Sequence, residues 1–292
     1  MDLHEGRIEA NGLLFAYLEA GPIDGPLALC LHGFPDSAWT WRHLLPELAG
    51  AGYRAVAPFM RGYDPTDVPD DGRAYLGDLV ADACALHDSL NGDERAVLIG
   101  HDWGAVTAYP SVAFAPHRWR RAVTLAIPPT ALFMQALLTS YEQQKRSWYM
   151  FFFQHALADM VVPQDDLAFI DRLWADWSPG FSSPEDLEYT KESLRAPANL
   201  QAALGYYRAM LGGTAPPEDI AAEQAAALAP STVPTLYMHG GLDGCCGVEV
   251  AAGAEASLPP GSEVVVVPDA GHFLQLEKPK EVNDRILRFL EE

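Results

Sequence analysis

The segment at 96–109 constrains the fold of this chain more than any other part of it. The apolar run at 96–99 leads into Gly100-His101-Asp102-Trp103-Gly104, and an alternating run of small and apolar residues follows. This order predicts a buried strand, a very sharp turn and a helix, because only glycine or alanine on both sides of the turn lets the two segments pass so closely. Asp102 lies at the apex of the turn, where we expect strained backbone geometry.

Apolar runs elsewhere predict the α/β class, with a mostly parallel sheet. Residues 7–18 predict two short strands around the turn dipeptide Asn11-Gly12. The fully apolar run at 27–31 is typical of a strand buried on both faces. Further strands are predicted at 53–59, 121–127, 235–238 and 264–267. Because these strands alternate with helical patterns, we expect them to lie parallel, with helices on both faces of the sheet.

Three helical patterns belong to this sheet. The first predicts one helix from about Ser37, capped by Asp36 or Ser37, that ends near Gly50. The other two lie at 78–91 and 282–290, where apolar residues recur at helical spacing.

The pattern changes between Thr130 and about Gln224, where helical periodicity and aromatic residues occur without strongly apolar strands. The simplest interpretation is a helical lid inserted into the sheet domain. We therefore expect a core in two parts, 1–129 and 226–292, with the lid at 130–225. The Ala/Glu/Gln/Pro stretch at 215–230 is interpreted as the return linker.

Composition excludes several classes of function. The chain of 292 residues carries 40 acidic and 19 basic residues, a formal net charge of −21. A nucleic-acid partner and an anionic membrane surface are not expected, because phosphate binding needs a basic face. No apolar run approaches the roughly 18 residues of a membrane span, and the N-terminal residues lack a signal-peptide pattern.

The cysteines indicate a reducing compartment. Cys30 and Cys84 are expected to be small core residues, while Cys245 and Cys246 are adjacent and neighbouring cysteines rarely form a good disulfide. A cytoplasmic location fits this usage. No Cys/His spacing is typical of zinc, so no metal is expected. The Gly-Cys-Cys-Gly run has no explanation in the sequence, and a redox role for it is an alternative.

Four candidate functional residues follow the predicted strands at their carboxyl ends, where reactive groups collect in such sheets. They are Phe34, Asp102, Asp243 and His272. Taken alone, Asp243 is more simply a turn residue beside glycine and His272 the start of a helix. Together they have the order nucleophile, acid, histidine that is found in α/β hydrolases.

The chain resembles the α/β hydrolase superfamily over almost its whole length, and within it the epoxide hydrolases. The resemblance rests on His32-Gly33-Phe34-Pro35, the Gly100–Gly104 turn, the acid at Asp243, and Gly271-His272-Phe273. It implies an α/β hydrolase fold with a helical cap. No Gly-x-Ser-x-Gly occurs in the chain, so a serine esterase would lack its nucleophile.

Asp102 is suited to attack an sp³ carbon, because its carboxylate is already ionised at neutral pH. The resulting alkyl ester must then be hydrolysed. His272 is the natural base for the water, with Asp243 orienting the ring. We expect the backbone N–H groups of Phe34 and Trp103 to hold the oxyanion that forms on the ester.

The leaving group decides between two classes of enzyme. An epoxide oxygen leaves as an alkoxide and needs a nearby acid, for which tyrosine hydroxyls are suited. By the resemblance, the ring-opening pair is Tyr149 and Tyr207, with Tyr206 as an alternative to Tyr207. Further aromatic residues are expected to line the substrate pocket: Trp39, Trp148, Phe153 and Phe273.

The resulting hypothesis is an epoxide hydrolase that forms vicinal diols, with a small apolar epoxide and water as its partners and no cofactor. A homodimer is left open. The first alternative is a haloalkane or haloacetate dehalogenase with the same triad. Phe34 replaces the Asn common in haloalkane dehalogenases, and Trp103 and Val106 stand where haloacetate dehalogenases have Arg beside the nucleophile. The second alternative is a catalytically idle binding protein.

Overall fold

A single sheet runs through the computed structural model, which describes residues 3–291. Its eight strands are β1 (His4–Ala10), β2 (Leu13–Ala20), β3 (Leu27–Leu31), β4 (Arg54–Pro58), β5 (Val97–His101), β6 (Arg121–Leu125), β7 (Thr235–Gly240) and β8 (Glu263–Val267). Each predicted strand is therefore confirmed, with ends that differ by a few residues. The strand after Ala96 runs on through Gly100 and His101, directly up to Asp102.

The strand order in the sheet is β1-β2-β4-β3-β5-β6-β7-β8. β1, β2 and β4 pair antiparallel, and β3 to β8 pair parallel with their neighbours. All residues of β3, β4 and β5 are buried, because helices cover both faces of a parallel sheet. The carboxyl ends of β3, β5, β7 and β8 consequently share one edge of the sheet.

Fourteen α-helices are assigned within the described residues. They are α1 (Leu45–Gly50), α2 (Leu76–Ser89), α3 (Trp103–Phe114), α4 (Thr130–Thr139), α5 (Tyr141–Arg146), α6 (Trp148–Phe152), α7 (Leu157–Val161), α8 (Gln164–Trp177), α9 (Pro184–Leu194), α10 (Pro197–Leu211), α11 (Ala221–Ala225), α12 (Ala254–Ser257), α13 (Leu274–Glu277) and α14 (Pro279–Glu291). Short 3₁₀ turns lie at Ala38–Trp41, Pro116–Arg118, Glu218–Ile220, Ala226–Leu228 and Val248–Ala251. In α8 the backbone is left-handed at Asp165, Asp166 and Leu167, so its regular part begins after them.

The prediction of one helix from Ser37 to Gly50 is wrong. A 3₁₀ turn at Ala38–Trp41 is followed by a separate helix α1. Pro46 lies in the first turn of α1, where its fixed φ and missing N–H are tolerated, so a new helix begins there. Neither predicted cap acts as a cap: Ser37 makes no capping bond, and Asp36 accepts the backbone N–H of Ser37.

No strand lies between β6 and β7 in the described chain, and α4 to α10 occupy this stretch. The part at 218–228 packs back on the core. Gln224 accepts the backbone N–H of Gly77 in α2 at 2.8 Å, and Asp219 forms an ion pair with Arg73 at 2.8 Å. The stretch interpreted as a linker therefore contains helical turns that rest on α2. The domain bounds themselves stay predictions.

Within residues 3–291, no helix combines the length and the apolar character needed to cross a bilayer.

The turn between β5 and α3 requires its glycines. A Cβ atom on Gly104 would lie 2.0 Å from the carbonyl oxygen of Leu31, and one on Gly100 would lie 2.2 Å from the carbonyl oxygen of Gly104. Strand β5, helix α3 and the end of β3 thus pack backbone against backbone. A side chain at either position would push the elements apart and displace Asp102 between them.

We predict that Gly104→Ala lowers the free energy of unfolding by about 1–3 kcal/mol or more, because the clash involves backbone that cannot rotate away. Urea unfolding followed by circular dichroism measures this change. Gly50→Ala is the matched control, since a Cβ there meets nothing within 4 Å. Equal stability of the two variants would contradict the close packing at the turn.

Candidate active site

Asp102 occupies a strained position at the apex of the turn. Its φ of 51° and ψ of −116° are unusual for a residue with a side chain. The side chain does not cap its own helix α3. Instead, Oδ1 accepts the backbone N–H of Phe34 at 2.8 Å, and the residue is only 4 % exposed. The carboxylate is thereby directed toward the loops that follow the neighbouring strands.

Asp243 and His272 reach Asp102 from the loops after β7 and β8. His272 Nδ1 lies 2.9 Å from Asp243 Oδ2, and His272 Nε2 lies 3.6 Å from Asp102 Oδ2. The other oxygen of Asp243 accepts the backbone N–H groups of Cys245 and Cys246, at 2.7 and 2.9 Å. The structure therefore brings the three predicted triad residues together, while their catalytic roles stay predictions.

Two carboxylates set the charge of the histidine. Burial alone would lower the pKa of His272, but Asp243 and then Asp102 outweigh burial and raise it to about 10. Burial likewise raises the pKa of Asp243, and the facing His272 reverses this effect so that it ends below its ordinary value. Because Asp243 accepts from Nδ1, the neutral ring would carry its lone pair on Nε2, facing Asp102.

The two predicted tyrosines meet above the turn. Tyr149 in α6 and Tyr207 in α10 are 3 % and 2 % exposed, and their rings pack edge to face with centroids 5.5 Å apart. The ring of Tyr207 also packs on Phe34 and Trp103, at 5.3 and 5.2 Å. Burial raises the pKa of both hydroxyls well above the ordinary value, so both stay protonated at neutral pH.

The two hydroxyls differ in their partners. Tyr149 Oη lies 3.3 Å from Cys245 Sγ, whereas the buried Tyr207 Oη has no hydrogen-bond partner within the described part of the chain. Tyr206, the alternative to Tyr207, donates its hydroxyl to the carbonyl oxygen of Arg61 at 2.9 Å. That bond occupies Tyr206 elsewhere, so the geometry favours Tyr207 as the partner of Tyr149.

The predicted pocket residues divide into two groups. Phe153 is fully buried and packs on the rings of Phe34 and Tyr207, and Phe273 lies against the ring of His272. Trp148 and Trp39 do not join them. Trp148 is 45 % exposed and packs on Phe152 and Phe169.

Trp39 stacks on Tyr189, with ring centroids 4.6 Å apart. Both residues line a surface cleft of ≈ 490 Å³ that also includes Glu5, Arg7 and Asp64. The prediction that Trp39 and Trp148 contact the substrate is therefore untested, and the observed positions of the two side chains do not support it.

Trp177 is a site residue that sequence reasoning missed. Its carbonyl oxygen accepts the backbone N–H groups of His272 and Gly244, at 3.1 and 3.0 Å, and so connects the loop after β7 to the loop after β8. Its ring packs on His272 and Tyr149. An aromatic residue at the end of a lid helix carries no signal for this role, since the bonds come from its backbone.

Cys245 is the second site residue that sequence reasoning missed. The sequence marks the Gly-Cys-Cys-Gly run as unusual, but the structure alone places its first thiol at the site. One donor atom each from Cys245, Asp102 and His272 lie within 4.8 Å of one another. All four cysteines are unpaired and buried.

Taken together, the sheet, the sharp turn after β5 and the buried Asp–His–Asp set define an α/β hydrolase with aspartate in the nucleophile position. Residues 26–279 match the family described as "alpha/beta hydrolase fold". Over 97 % of its length the chain is 30 % identical to the AB hydrolase superfamily protein YfhM of Bacillus subtilis, of which it covers 96 %.

Other relatives and solved structures point to one family within the α/β hydrolases. The chain is 30 % identical to Epoxide hydrolase A of Mycobacterium tuberculosis, with 98 % of this chain and 97 % of that protein aligned. The crystal structure of Bacillus megaterium epoxide hydrolase in complex with an inhibitor superposes with a TM-score of 0.83, at 27 % identity, and covers 98 % of this chain and 100 % of that one. The protein belongs to the epoxide hydrolase family of the α/β hydrolases, and it is a hydrolase.

We predict that Asp102→Asn shifts the pKa of His272 well below about 10, because one of the two carboxylates that raise it loses its charge. The wild-type ring then holds its proton to higher pH than the ring of the variant. NMR titration of histidine labelled at Cε1 measures both values. Asp269→Asn is the control, since this exposed carboxylate lies three residues before His272 and is not one of the two carboxylates that raise its pKa. An unchanged pKa in Asp102→Asn would contradict the coupling.

Proposed function

We propose that this protein adds water to an epoxide to give a vicinal diol, through a covalent ester on Asp102. The observation that carries the proposal is the position of the Asp102 carboxylate, with His272 Nε2 at 3.6 Å and two buried tyrosines above the same turn. The names of the relatives support the choice of substrate class. The chemistry below derives from the residues of this chain.

In the first half-reaction, Asp102 Oδ2 attacks a ring carbon of the epoxide. The Phe34 N–H holds Oδ1, which leaves Oδ2 as the nucleophilic oxygen. The new C–O bond forms as the carbon–oxygen bond of the ring breaks. The developing alkoxide accepts hydrogen bonds from Tyr149 and Tyr207, one of which transfers its proton. The unpartnered Tyr207 Oη is suited to receive this oxygen.

In the second half-reaction, His272 takes a proton from water that attacks the ester carbonyl carbon. Ester formation removes the charge of Asp102, one of the groups that raise the pKa of His272. The ring therefore becomes easier to deprotonate only after the first step is complete. Asp243 stabilises the imidazolium that forms. His272 gives this proton to the diol oxygen, which leaves as the tetrahedral intermediate collapses. The second proton of the water stays on the new carboxyl group of Asp102 and is then lost to the tyrosinate left by the first half-reaction, so that Asp102 and the tyrosine are both restored.

The oxyanion of this intermediate develops on Oδ1 of Asp102. The Phe34 N–H already lies 2.8 Å from that oxygen, and the N–H of Trp103 is the first free backbone donor of helix α3. Donors placed in advance stabilise such a charge without reorganising during the reaction. We therefore assign the oxyanion hole to these two backbone groups.

The walls around the turn indicate an apolar substrate. The rings of Phe34, Phe153 and Trp103 pack on Tyr207, so a substrate beside the tyrosine hydroxyls contacts aromatic carbon. A small apolar epoxide fits these walls better than a charged one. We also propose a cytoplasmic location, which the four unpaired cysteines support.

The dehalogenase alternative uses the same triad and differs in its leaving group. A halide leaves as a stable anion and needs no acid, whereas an alkoxide needs a proton. Two protonated, buried tyrosine hydroxyls beside the nucleophile suit the alkoxide. Turnover of epoxides and of haloalkanes by the same preparation separates the two functions.

We predict that Tyr149→Phe/Tyr207→Phe lowers the rate of epoxide opening by about 10²–10⁴-fold, because no acid remains for the alkoxide. Diol formation from styrene oxide, followed by chromatography, measures this loss. Tyr206→Phe is the matched control, since its hydroxyl bonds Arg61 and not the site. Full activity of the double variant would contradict the assignment of these tyrosines as the acid.

We predict that His272→Gln accumulates the alkyl ester, because the nucleophile remains while the base is lost. Mass spectrometry of the peptide containing Asp102 then shows an increment equal to the mass of the epoxide. Asp102→Asn/His272→Gln is the control and shows no increment. If His272→Gln never carries the adduct although the wild type forms diol, water attacks the epoxide directly and the ester mechanism is wrong.

A further inference from the structure

Three side chains that can bind a metal converge at the turn from three different loops. Asp102 follows β5, Cys245 follows β7 and His272 follows β8. One donor atom from each lies within 4.8 Å of the other two, and all three residues are buried. Of these pairs, His272 Nε2 and Asp102 Oδ2 are 3.6 Å apart.

These separations approach those of a tetrahedral zinc site. Zinc binds nitrogen, oxygen and sulfur ligands at about 2.0–2.3 Å, which places the ligand atoms about 3.3–3.8 Å apart. The donors therefore need to close by up to about 1.5 Å. A set of one thiolate, one imidazole and one carboxylate suits zinc and cadmium better than magnesium or calcium, which prefer oxygen ligands.

The donor atoms are free to bind, and the histidine has the support that metal ligands usually have. His272 Nε2 is buried without a hydrogen-bond partner in the described residues. The Phe34 N–H bonds Oδ1 of Asp102, and within residues 3–291 Cys245 Sγ has one hydrogen-bond partner, the hydroxyl of Tyr149. Asp243 bonds the opposite nitrogen of His272. A carboxylate on the far side of a histidine is the common second layer of zinc sites.

We propose that Asp102, Cys245 and His272 form an inhibitory site for a divalent cation of the zinc and cadmium class. The metal bonds to Cys245 Sγ, His272 Nε2 and one oxygen of Asp102, with the fourth position left to water. Binding releases the thiol proton, and any proton on His272, to solvent, and no electron is transferred. Metal binding itself is independent of the proposed function, whereas inhibition rests on Asp102 and His272 being nucleophile and base.

Cadmium is the probe for binding. Wild-type protein titrated with Cd²⁺ should bind one ion per chain by equilibrium dialysis and develop the ultraviolet charge-transfer absorption of a cadmium–thiolate bond. Cys245→Ser should lose this absorption and bind Cd²⁺ at least about tenfold more weakly. Cys246→Ser is the matched control and should keep both signals, because Cys246 is equally buried but outside the donor set.

A second variant tests the site independently, in case Cys245→Ser does not fold. Asp102→Asn keeps the thiol and should also bind Cd²⁺ at least about tenfold more weakly, with an unchanged circular dichroism spectrum. Equal Cd²⁺ binding by wild type and Cys245→Ser, or no binding by either, overturns the proposal whatever the activity.

Zinc is the probe for inhibition. Zn²⁺ should inhibit diol formation by wild type and Cys246→Ser, and a chelator should restore it. Cys245→Ser, compared with its own metal-free rate, should need at least about tenfold more Zn²⁺. If Cd²⁺ binds as expected but neither the wild type nor the variants form diol, the metal site is supported and the proposed function is wrong. If wild type forms diol and Zn²⁺ inhibits it and Cys245→Ser equally, the inhibitory site is wrong.

Discussion

The hydrogen bond from the Phe34 N–H to Asp102 Oδ1 is the interaction on which the rest of the site depends. This bond depends on Gly104, which lets helix α3 approach the end of β3. A Cβ atom on Gly104 would lie 2.0 Å from the carbonyl oxygen of Leu31. The same approach holds Asp102 at a φ of 51°. One backbone contact thus sets the direction of the Asp102 carboxylate and places the donor to which we assign the oxyanion in the proposed mechanism. The strain at the apex is offset by the packing of β3, β5 and α3 around it.

The charge of the site is organised around His272. Its two nitrogens face two buried carboxylates, and these raise its pKa to about 10 against the effect of burial. At this pKa the ring is charged at neutral pH, and a charged ring would be a poor base for the second step of the proposed mechanism. Neutralisation of Asp102 by the proposed ester would remove part of this stabilisation. Under that proposal, the electrostatics of the three residues impose the order of the two half-reactions.

The helices between β6 and β7 contribute the two tyrosines to which the proposed mechanism assigns protonation of the leaving group. Tyr149 and Tyr207 come from α6 and α10, and Trp177 at the end of α8 ties the loops of Asp243 and His272 to the lid through its backbone. Under the proposed mechanism, the core residues alone could attack a carbon that carries a halogen or an epoxide oxygen, and the two protonated hydroxyls would favour the epoxide oxygen. The thiol of Cys245, which contacts Tyr149, gives this chain a feature that the triad chemistry does not require.

The sequence alone determined the strand succession, the sharp turn and the order of Asp102, Asp243 and His272. These are local signals: apolar runs, glycine at close approaches, and polar residues where strands end. Since parallel strands end at one edge, the three residues could be expected to meet. Pro46 is also a local signal, because it favours the start of a new helix. The apolar residues continue at helical spacing on both sides of it, however, so the sequence predicted one helix instead of two.

Only the tertiary structure decided which side chains around the triad face it. Neighbouring residues on a helix point about 100° apart, so the packing of α10 decides that the hydroxyl of Tyr206 bonds to Arg61 while the ring of Tyr207 packs on Tyr149. Packing of other elements stacks Trp39 on Tyr189 and Trp148 on Phe152. It also brings Trp177 against His272 and Cys245 close to Asp102. No spacing along the chain encodes these positions, because each depends on how a lid helix or a loop rests on the sheet edge.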